Sequence, residues 1–281
     1  MPLKLHLKTQ LNVPLNVDRV LPETVGAEDF RSITVEEGNH TGQLSDYFAI
    51  EGSAAEDRTV CFSGNLKNVF GIGKGMNGGT IEVQGDTGPF VGRGMSGGKI
   101  AVDGNADDYL GAEMTGGRIV VRGDAGNYVG ANAPGGKFGM NRGTIFISGS
   151  AGQSLGRSMR RGTILVQGAV GPLCGWEMLA GTIIVFGPAG DQVGLDMRRG
   201  TIILAGESSK SFNAGPTFVE GSTLNSQTIA MIGAWLKQSE TEMQPEEIDQ
   251  RLLNPKFLQW HGDVNEGGRG EIFLPAVVAQ C

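Results

Sequence analysis

The sequence predicts an all-β protein, a parallel β-helix of about eight coils of 19 residues, and three observations carry that reading. A seven-residue glycine-bounded segment recurs along residues 59–206. Its apolar residues stand two apart, as on one face of a strand. The repeat is also too short to contain a crossover helix, so successive copies can only close small turns and stack as a solenoid. The segment Gly79-Thr-Ile-Glu-Val-Gln-Gly85 returns at Gly98, Gly117, Gly143, Gly162, Gly181 and Gly200, after an earlier copy at Arg58–Gly64. The step is 19 residues, except for 26 between Gly117 and Gly143 and 21 after Arg58.

Residues 1–58 form an N-terminal strand-rich cap, 59–206 the glycine-rich β-helix, and 207–281 a C-terminal tail with one or two helices. The cap opens on Leu3-Lys-Leu5-His-Leu7, an alternation that marks a half-buried strand. Its expected role is to cover one end of the rod, where sheet edges would otherwise be open to aggregation.

Within the coils, one inward column runs from Val60 through Ile81, Ile100, Ile119, Ile145, Ile164 and Ile183 to Ile202. A second runs from Phe62 to Leu204, and a third comprises Ile72, Val91, Leu110, Val129, Leu155, Cys174, Val193 and Phe212. Intervening residues such as Cys61, Glu82, Ala101 and Phe146 are expected to face outward. Glycines mark the corners, where positive φ or close backbone approach excludes a Cβ. Met76, Met95, Met114, Met140, Met159, Met178 and Met197 form a further column. Stacked thioethers suit a soft metal, but no cysteine or histidine accompanies them, so an adaptable interior filler is expected.

The wide fourth coil places an insertion of seven residues within Ala131–Gly139, carrying Pro134 and Phe138. It is read either as a partner contact or as drift at a tolerant corner. In the tail, Thr223–Gln238 has helical apolar spacing, and Pro245–Leu253 reads as a second helix. A last short strand is expected near Glu271–Leu274, between the loops at Gly262 and Gly267–Gly270 and the C-terminus, and the tail is expected to fold along the rod or onto a partner.

The chain has 281 residues, 47 of them glycine, and a net charge of −7, which gives no electrostatic reason to expect nucleic acid or an anionic membrane. No signal peptide and no membrane span is read. Cys61, Cys174 and Cys281 lack paired spacing, which fits reduced thiols in the cytoplasm.

Two dinucleotide-like fingerprints, Gly73-Lys-Gly75-Met-Asn-Gly78 and Gly92-Arg-Gly94-Met-Ser-Gly97, lead into strands rather than helices and are read as corner glycines. His6, His40 and His261 lie outside the coils, and no catalytic residue and no metal site is assigned. Asp86, Asp103 and Asp124 follow the strands at shifting positions and do not concentrate on one face as in a β-helix lyase. A left-handed acyltransferase helix would need coils in multiples of six, which a period of 19 excludes. One charged feature remains. Arg142, Arg161 and Arg199 share a column, broken by Ala180, with Arg160 and Arg198 in the adjacent one. These five form either a solvated face or a ladder for an anionic cofactor or partner carboxylates.

The units Gly123-Asp-Ala-Gly-Asn-Tyr-Val-Gly130 and Met197-Arg-Arg-Gly-Thr-Ile202 resemble the C-terminal domain of large glutamate synthase subunits. More closely, the chain resembles the C subunit of formylmethanofuran dehydrogenase. That likeness takes in Leu44-Ser-Asp-Tyr-Phe48, Phe138-Gly-Met140, Trp260-His-Gly-Asp263 and Gly268-Arg-Gly-Glu271. It implies a right-handed β-helix acting as a non-catalytic scaffold that binds no cofactor itself. Its implied partners are amidohydrolase-like, formyltransferase-like and pterin-enzyme-like subunits. The implied chemistry is formyl transfer on methanofuran or methylofuran, with metal ions in the amidohydrolase-like subunit and molybdopterin or tungstopterin in the redox version. A 19% share of charged residues leans towards the formyltransferase/hydrolase version of mesophilic bacteria. The glutamate-synthase likeness implies instead a structural domain in nitrogen metabolism. The acidic glutamyl tails of the family's cofactors would suit the arginines.

Overall fold

A stack of short parallel strands, each lying on the last without a shift of register, frames the molecule. The computed structural model describes residues 2–24, 30–53, 57–206, 212, 215–225, 227–238, 252 and 256–276. The N-terminal segment supplies strands β1 (Leu3–Leu7), β2 (Leu15–Asn16), β3 (Thr34–Glu37) and β4 (His40–Gln43). A single helical turn, α1 (Leu44–Tyr47), and β5 (Phe48–Glu51) complete it. The rungs follow as β6 (Thr59–Ser63), β8 (Thr80–Gln84), β9 (Lys99–Val102), β10 (Arg118–Val121), β11 (Thr144–Ile147), β12 (Thr163–Val166), β13 (Thr182–Val185) and β14 (Arg199–Leu204). Between the first two lies β7 (Val69–Phe70), and the tail adds β15 (Val219–Leu224), α2 (Gln227–Gln238), β16 (Phe257–Gly262) and β17 (Arg269–Pro275).

Registers such as Ile81↔Ile100 and Ile183↔Ile202 align each inward side chain with its counterpart one coil away. The isoleucine and valine columns, the third column from Ile72 to Val193, and all seven methionines are buried. Phe212, the last member of the third column, is only partly buried and meets Trp260 edge-on at 6.0 Å. A further inward column escapes the apolar pattern. Leu66, Thr87, Ala106, Ala125, Ala151, Val170 and Ala189 pair from coil to coil as single parallel bridges on a second wall.

From Gly98 onward, the glycine before each parallel strand of the rod faces a methionine of the preceding coil. A Cβ at Gly98 would lie 2.4 Å from Met76 Cε, and one at Gly270 would lie 2.6 Å from Met197 Cε. The methionines therefore plug holes that only glycine leaves open, which confirms them as interior packing.

One expectation is extended and two are corrected. The rod has more rungs than the repeat reveals, because β1 pairs in parallel with β6 and β17 with β14. Antiparallel strands then finish both ends, β5 beyond β1 and β16–β15 beyond β17. Second, Phe146 faces away from the rod axis yet is 1% exposed. It belongs to an outer cluster with Val120, Leu165, Ile184, Ile203 and Phe273, roofed by Ile229 and Ile232 of α2. Cys61, likewise expected to face outward, is also buried, its thiol 3.4 Å from Glu82 Oε2. Third, Thr223 and Leu224 end β15, so the helix starts only at Gln227. The expected helix over 245–253 and Cys281 lie outside the described residues, Leu252 excepted. No helix among the described residues is long and apolar enough to cross a membrane.

Candidate functional site: a cationic corner beside the wide coil

The corner leading into each rung has an alternating backbone. Residues at three alternate positions take positive φ: Gly71, Gly73 and Gly75 in one coil, Leu173, Gly175 and Glu177 in a later one. The middle position stays glycine because a Cβ at Gly175 would meet Ile202 Cδ1 at 2.6 Å. The last position is open, since a Cβ at Gly75 or Gly94 meets nothing within 4 Å. From the third coil onward that open position holds side chains, notably Glu113, Ser158, Glu177 and Asp196, each at positive φ. Non-glycine residues accept this conformation at about 1–2 kcal/mol each, so the corner carries strained polar side chains.

Ser158, Glu177 and Asp196 line the floor of a groove of about 430 Å³. Leu179 and Arg198, Lys137 and Phe138 from the inserted loop, and Glu266 from the tail complete its lining. Each carboxylate is engaged internally. Glu177 Oε2 accepts from Arg157 Nε at 3.1 Å and from Ser158 Oγ at 3.2 Å. Trp176 Nε1 donates to Asp196 Oδ2 at 3.3 Å, and Arg198 Nε to Glu266 Oε2 at 2.8 Å. The guanidinium of Arg157 also lies 3.9 Å over the Trp176 ring.

The five arginines read from the sequence are all exposed, and they divide in two. Arg198 pairs with Glu266, and Arg160 covers the Phe138 ring at 4.7 Å. Arg142, Arg161 and Arg199 make no ion pair among the described residues. Strand pairing adds a member that the repeat does not reveal: Arg269 of β17 stands beside Arg199 and is also exposed. Its signal is the Arg-Gly pair, which repeats Arg199-Gly200 some 70 residues on. Phe138 is 37% exposed, with Lys137 Nζ 5.4 Å from its ring centroid in addition to Arg160.

The aspartates after the strands have a structural use. Asp86 Oδ1 accepts from Asn105 N, Asn105 Oδ1 from Asp124 N, Asp124 Oδ1 from Ser150 N, and Ser150 Oγ from Ala169 N. Side chains of three kinds thus cap one backbone ladder, and Asp103 stands apart, paired with Arg122. The Asn105 N–H, followed by Lys67, holds the Asp86 carboxyl below its ordinary range against the opposing effect of burial. On the neighbouring wall Phe90, Tyr109 and Tyr128 stack at 5.0 and 4.9 Å. Burial pushes the Cys174 thiol up to about 12, and burial with Glu82 pushes Cys61 to about 11. Among the described residues, no three His, Cys, Asp or Glu side chains are grouped to hold a metal ion.

Comparison with known proteins places this geometry. The family described as the GXGXG motif matches residues 100–255. Over 90 residues the chain is 36% identical to the C subunit of a tungsten-containing formylmethanofuran dehydrogenase 2 from Methanococcus maripaludis, covering 31% of this chain and 33% of that one. Over 84 residues it is 37% identical to the C subunit of a molybdenum-containing formylmethanofuran dehydrogenase 1 from Methanothermobacter marburgensis, covering 29% of this chain and 21% of that one. The matched segment thus spans a third or less of these curated relatives. A chain in the crystal structure of the formyltransferase/hydrolase complex (FhcABCD) from Methylorubrum extorquens, solved with methylofuran, superposes with a TM-score of 0.87. It is 30% identical, and the correspondence covers 97% of this chain and 99% of that one.

Proposed function

This chain belongs to the C-subunit family of formylmethanofuran dehydrogenases, and from that premise we propose that it is the non-catalytic scaffold subunit of a formyltransferase/hydrolase-type complex in one-carbon metabolism. The observation that carries the reading is the end-to-end correspondence with a chain of the FhcABCD complex, caps and tail included. The geometry agrees with it. Asp86, Asn105, Asp124 and Ser150 cap backbone from coil to coil, and the groove's carboxylates are held by arginine, serine and tryptophan.

In this reading the formyl chemistry belongs to partners: an amidohydrolase-like subunit with metal ions, a formyltransferase-like subunit and a pterin-enzyme-like subunit, with methylofuran or methanofuran as carrier. The complex works in the cytoplasm, and Arg142, Arg160, Arg161, Arg198 and Arg199 meet an anionic group of a cofactor or a partner. The tungsten- and molybdenum-containing relatives make the redox dehydrogenase the alternative assembly. The glutamate-synthase alternative rests on the coil repeat alone, and correspondence through both flanks disfavours it.

Tagged chain purified from its native host, with mass spectrometric identification of what accompanies it, tests the reading. Amidohydrolase-like and formyltransferase-like chains in fixed ratio are expected. Isolation with glutamate synthase partners, or turnover of a formylated carrier by this chain alone, would refute it.

A further inference from the structure

The corner in the second half of the rod forms an interaction surface, and we propose that an extended, carboxylate-rich polypeptide segment of a partner chain lies along it, between the 131–139 loop and the arginine column. That a partner exists rests on the subunit reading above; the chemistry of the strip does not.

Charge is the first observation. The chain is acidic overall, at −7, yet Arg142, Arg161, Arg199 and Arg269 share one exposed column without an ion pair among the described residues. The groove carboxylates are engaged elsewhere, Glu177 by Arg157, Asp196 by Trp176 and Glu266 by Arg198, and among the described residues none forms an ion pair with the column. The second is where the strip begins. The same column holds glycine in the earlier coils, where a Cβ at Gly97 or Gly116 would come 2.2 or 2.1 Å from the carbonyl oxygen of the coil before. Arginine enters only at Arg142, immediately after the inserted loop, so the cations and the loop arise at one place. The third is Phe138, more than a third exposed and flanked by Arg160 and Lys137, an apolar anchor ringed by cations.

Length and dielectric then select the occupant. From Arg142 to Arg269 the column crosses four coil steps, roughly 20 Å at strand spacing, which matches about six extended residues rather than one small anion. Guanidinium groups on adjacent coils repel weakly in water, but a covering surface strengthens that repulsion roughly fourfold as the effective dielectric constant falls from about 80 to 20. A neutral or apolar cover would therefore be rejected. A segment bringing its own carboxylates converts the repulsion into charge-assisted hydrogen bonds.

Two arms test this. In the first, the isolated full chain is titrated into a fluorescein-labelled peptide of six glutamates, with a six-glutamine peptide as control. Binding of the acidic peptide alone is expected, weakened at least tenfold both by 0.5 M salt and by Arg161→Glu/Arg199→Glu. The neutral variant Arg142→Gln/Arg161→Gln/Arg199→Gln should weaken it as well, with melting temperature unchanged in both. No preference for the acidic peptide, or equal binding by the variants, would overturn the proposal whatever the fate of the subunit reading. In the second, a photo-crosslinking phenylalanine analogue replaces Phe138 in the purified complex. A crosslink into a partner segment rich in Asp and Glu, lost in the Arg161→Glu/Arg199→Glu background, is expected. A crosslink to a segment without carboxylates, or none in a complex that has assembled, would overturn the occupant while leaving the subunit reading intact. If no complex forms, the subunit reading fails, and the first arm still decides whether the strip takes an acidic chain.

Discussion

Gly75 and Gly175 have nearly the same backbone, φ +73° and +74°, but different surroundings. A Cβ at Gly75 meets nothing within 4 Å, whereas one at Gly175 falls 2.6 Å from Ile202 Cδ1 and is crowded by side chains alone. Gly75→Ala should therefore cost the left-handed penalty alone, about 1–2 kcal/mol. Gly175→Ala carries the same penalty plus overpacking of a filled core, about 1–3 kcal/mol more. Ile202→Val removes the one atom in conflict and by itself costs about 0.5–1.5 kcal/mol, since Ile202 is wholly buried. The double variant Gly175→Ala/Ile202→Val should then be more stable than the summed single effects by about 1–2 kcal/mol. Thermal melts of the full chain read this, each kcal/mol moving the midpoint by about 2–4 °C at this size. Equal losses from Gly75→Ala and Gly175→Ala would refute the packing explanation of the middle glycine. So would additivity in the double variant to within about 0.5 kcal/mol.

Phe146→Ala should cost about 3–5 kcal/mol and raise amide exchange over residues 227–238, because the outer cluster that seats α2 loses its largest central side chain. Mass-resolved alkylation at pH 8 should leave Cys174 and Cys61 unmodified until the chain unfolds, because thiols with pKa values of about 12 and about 11 hold almost no thiolate there. The Asp86 carboxyl is held below its ordinary value of 3.8, so its contribution is fully present above that pH and is lost as pH falls through the lower folded value. Asp86→Ala should accordingly destabilise by about 1 kcal/mol at pH 7 and progressively less in melts taken from pH 4 to pH 2.

Alternating Ile and Val in a fixed period make the rod legible, since period-2 apolar residues between glycines leave the chain little else to form. What the pattern hides follows from which chemistry repeats. The second inward wall is built of Ala106, Ala125 and Ala151, too small to register as apolar beats. The Asp86–Asn105–Asp124–Ser150 ladder looks irregular because one acceptor role is filled by three residue types. Phe146, Leu165 and Ile184 read as outward residues, which is their direction. Their burial depends on a helix about 40 to 80 residues further along the chain, beyond the reach of local pattern. The strand near Glu271–Leu274 is legible as a strand, but its place as a further parallel rung on β14 is not: the tail leaves the period at Gly206 and returns to it only at Gly270, whose missing Cβ admits Met197. The arginine column is visible as a sequence pattern. Its division into engaged and unengaged members is not, because Glu266 and Phe138 come from outside the repeat.

In-register stacking also makes length come in discrete steps. A coil excised from Thr163 to Gly181 would rejoin Gly162 to Thr182, leaving every remaining isoleucine over an isoleucine and every methionine over a glycine. The molecule would shorten by one strand spacing, about 4.8 Å, with its two termini otherwise intact. Whatever sits at either end is thereby held at a distance graduated in whole coils, so evolution could adjust that separation by duplication or loss without redesigning the contacts.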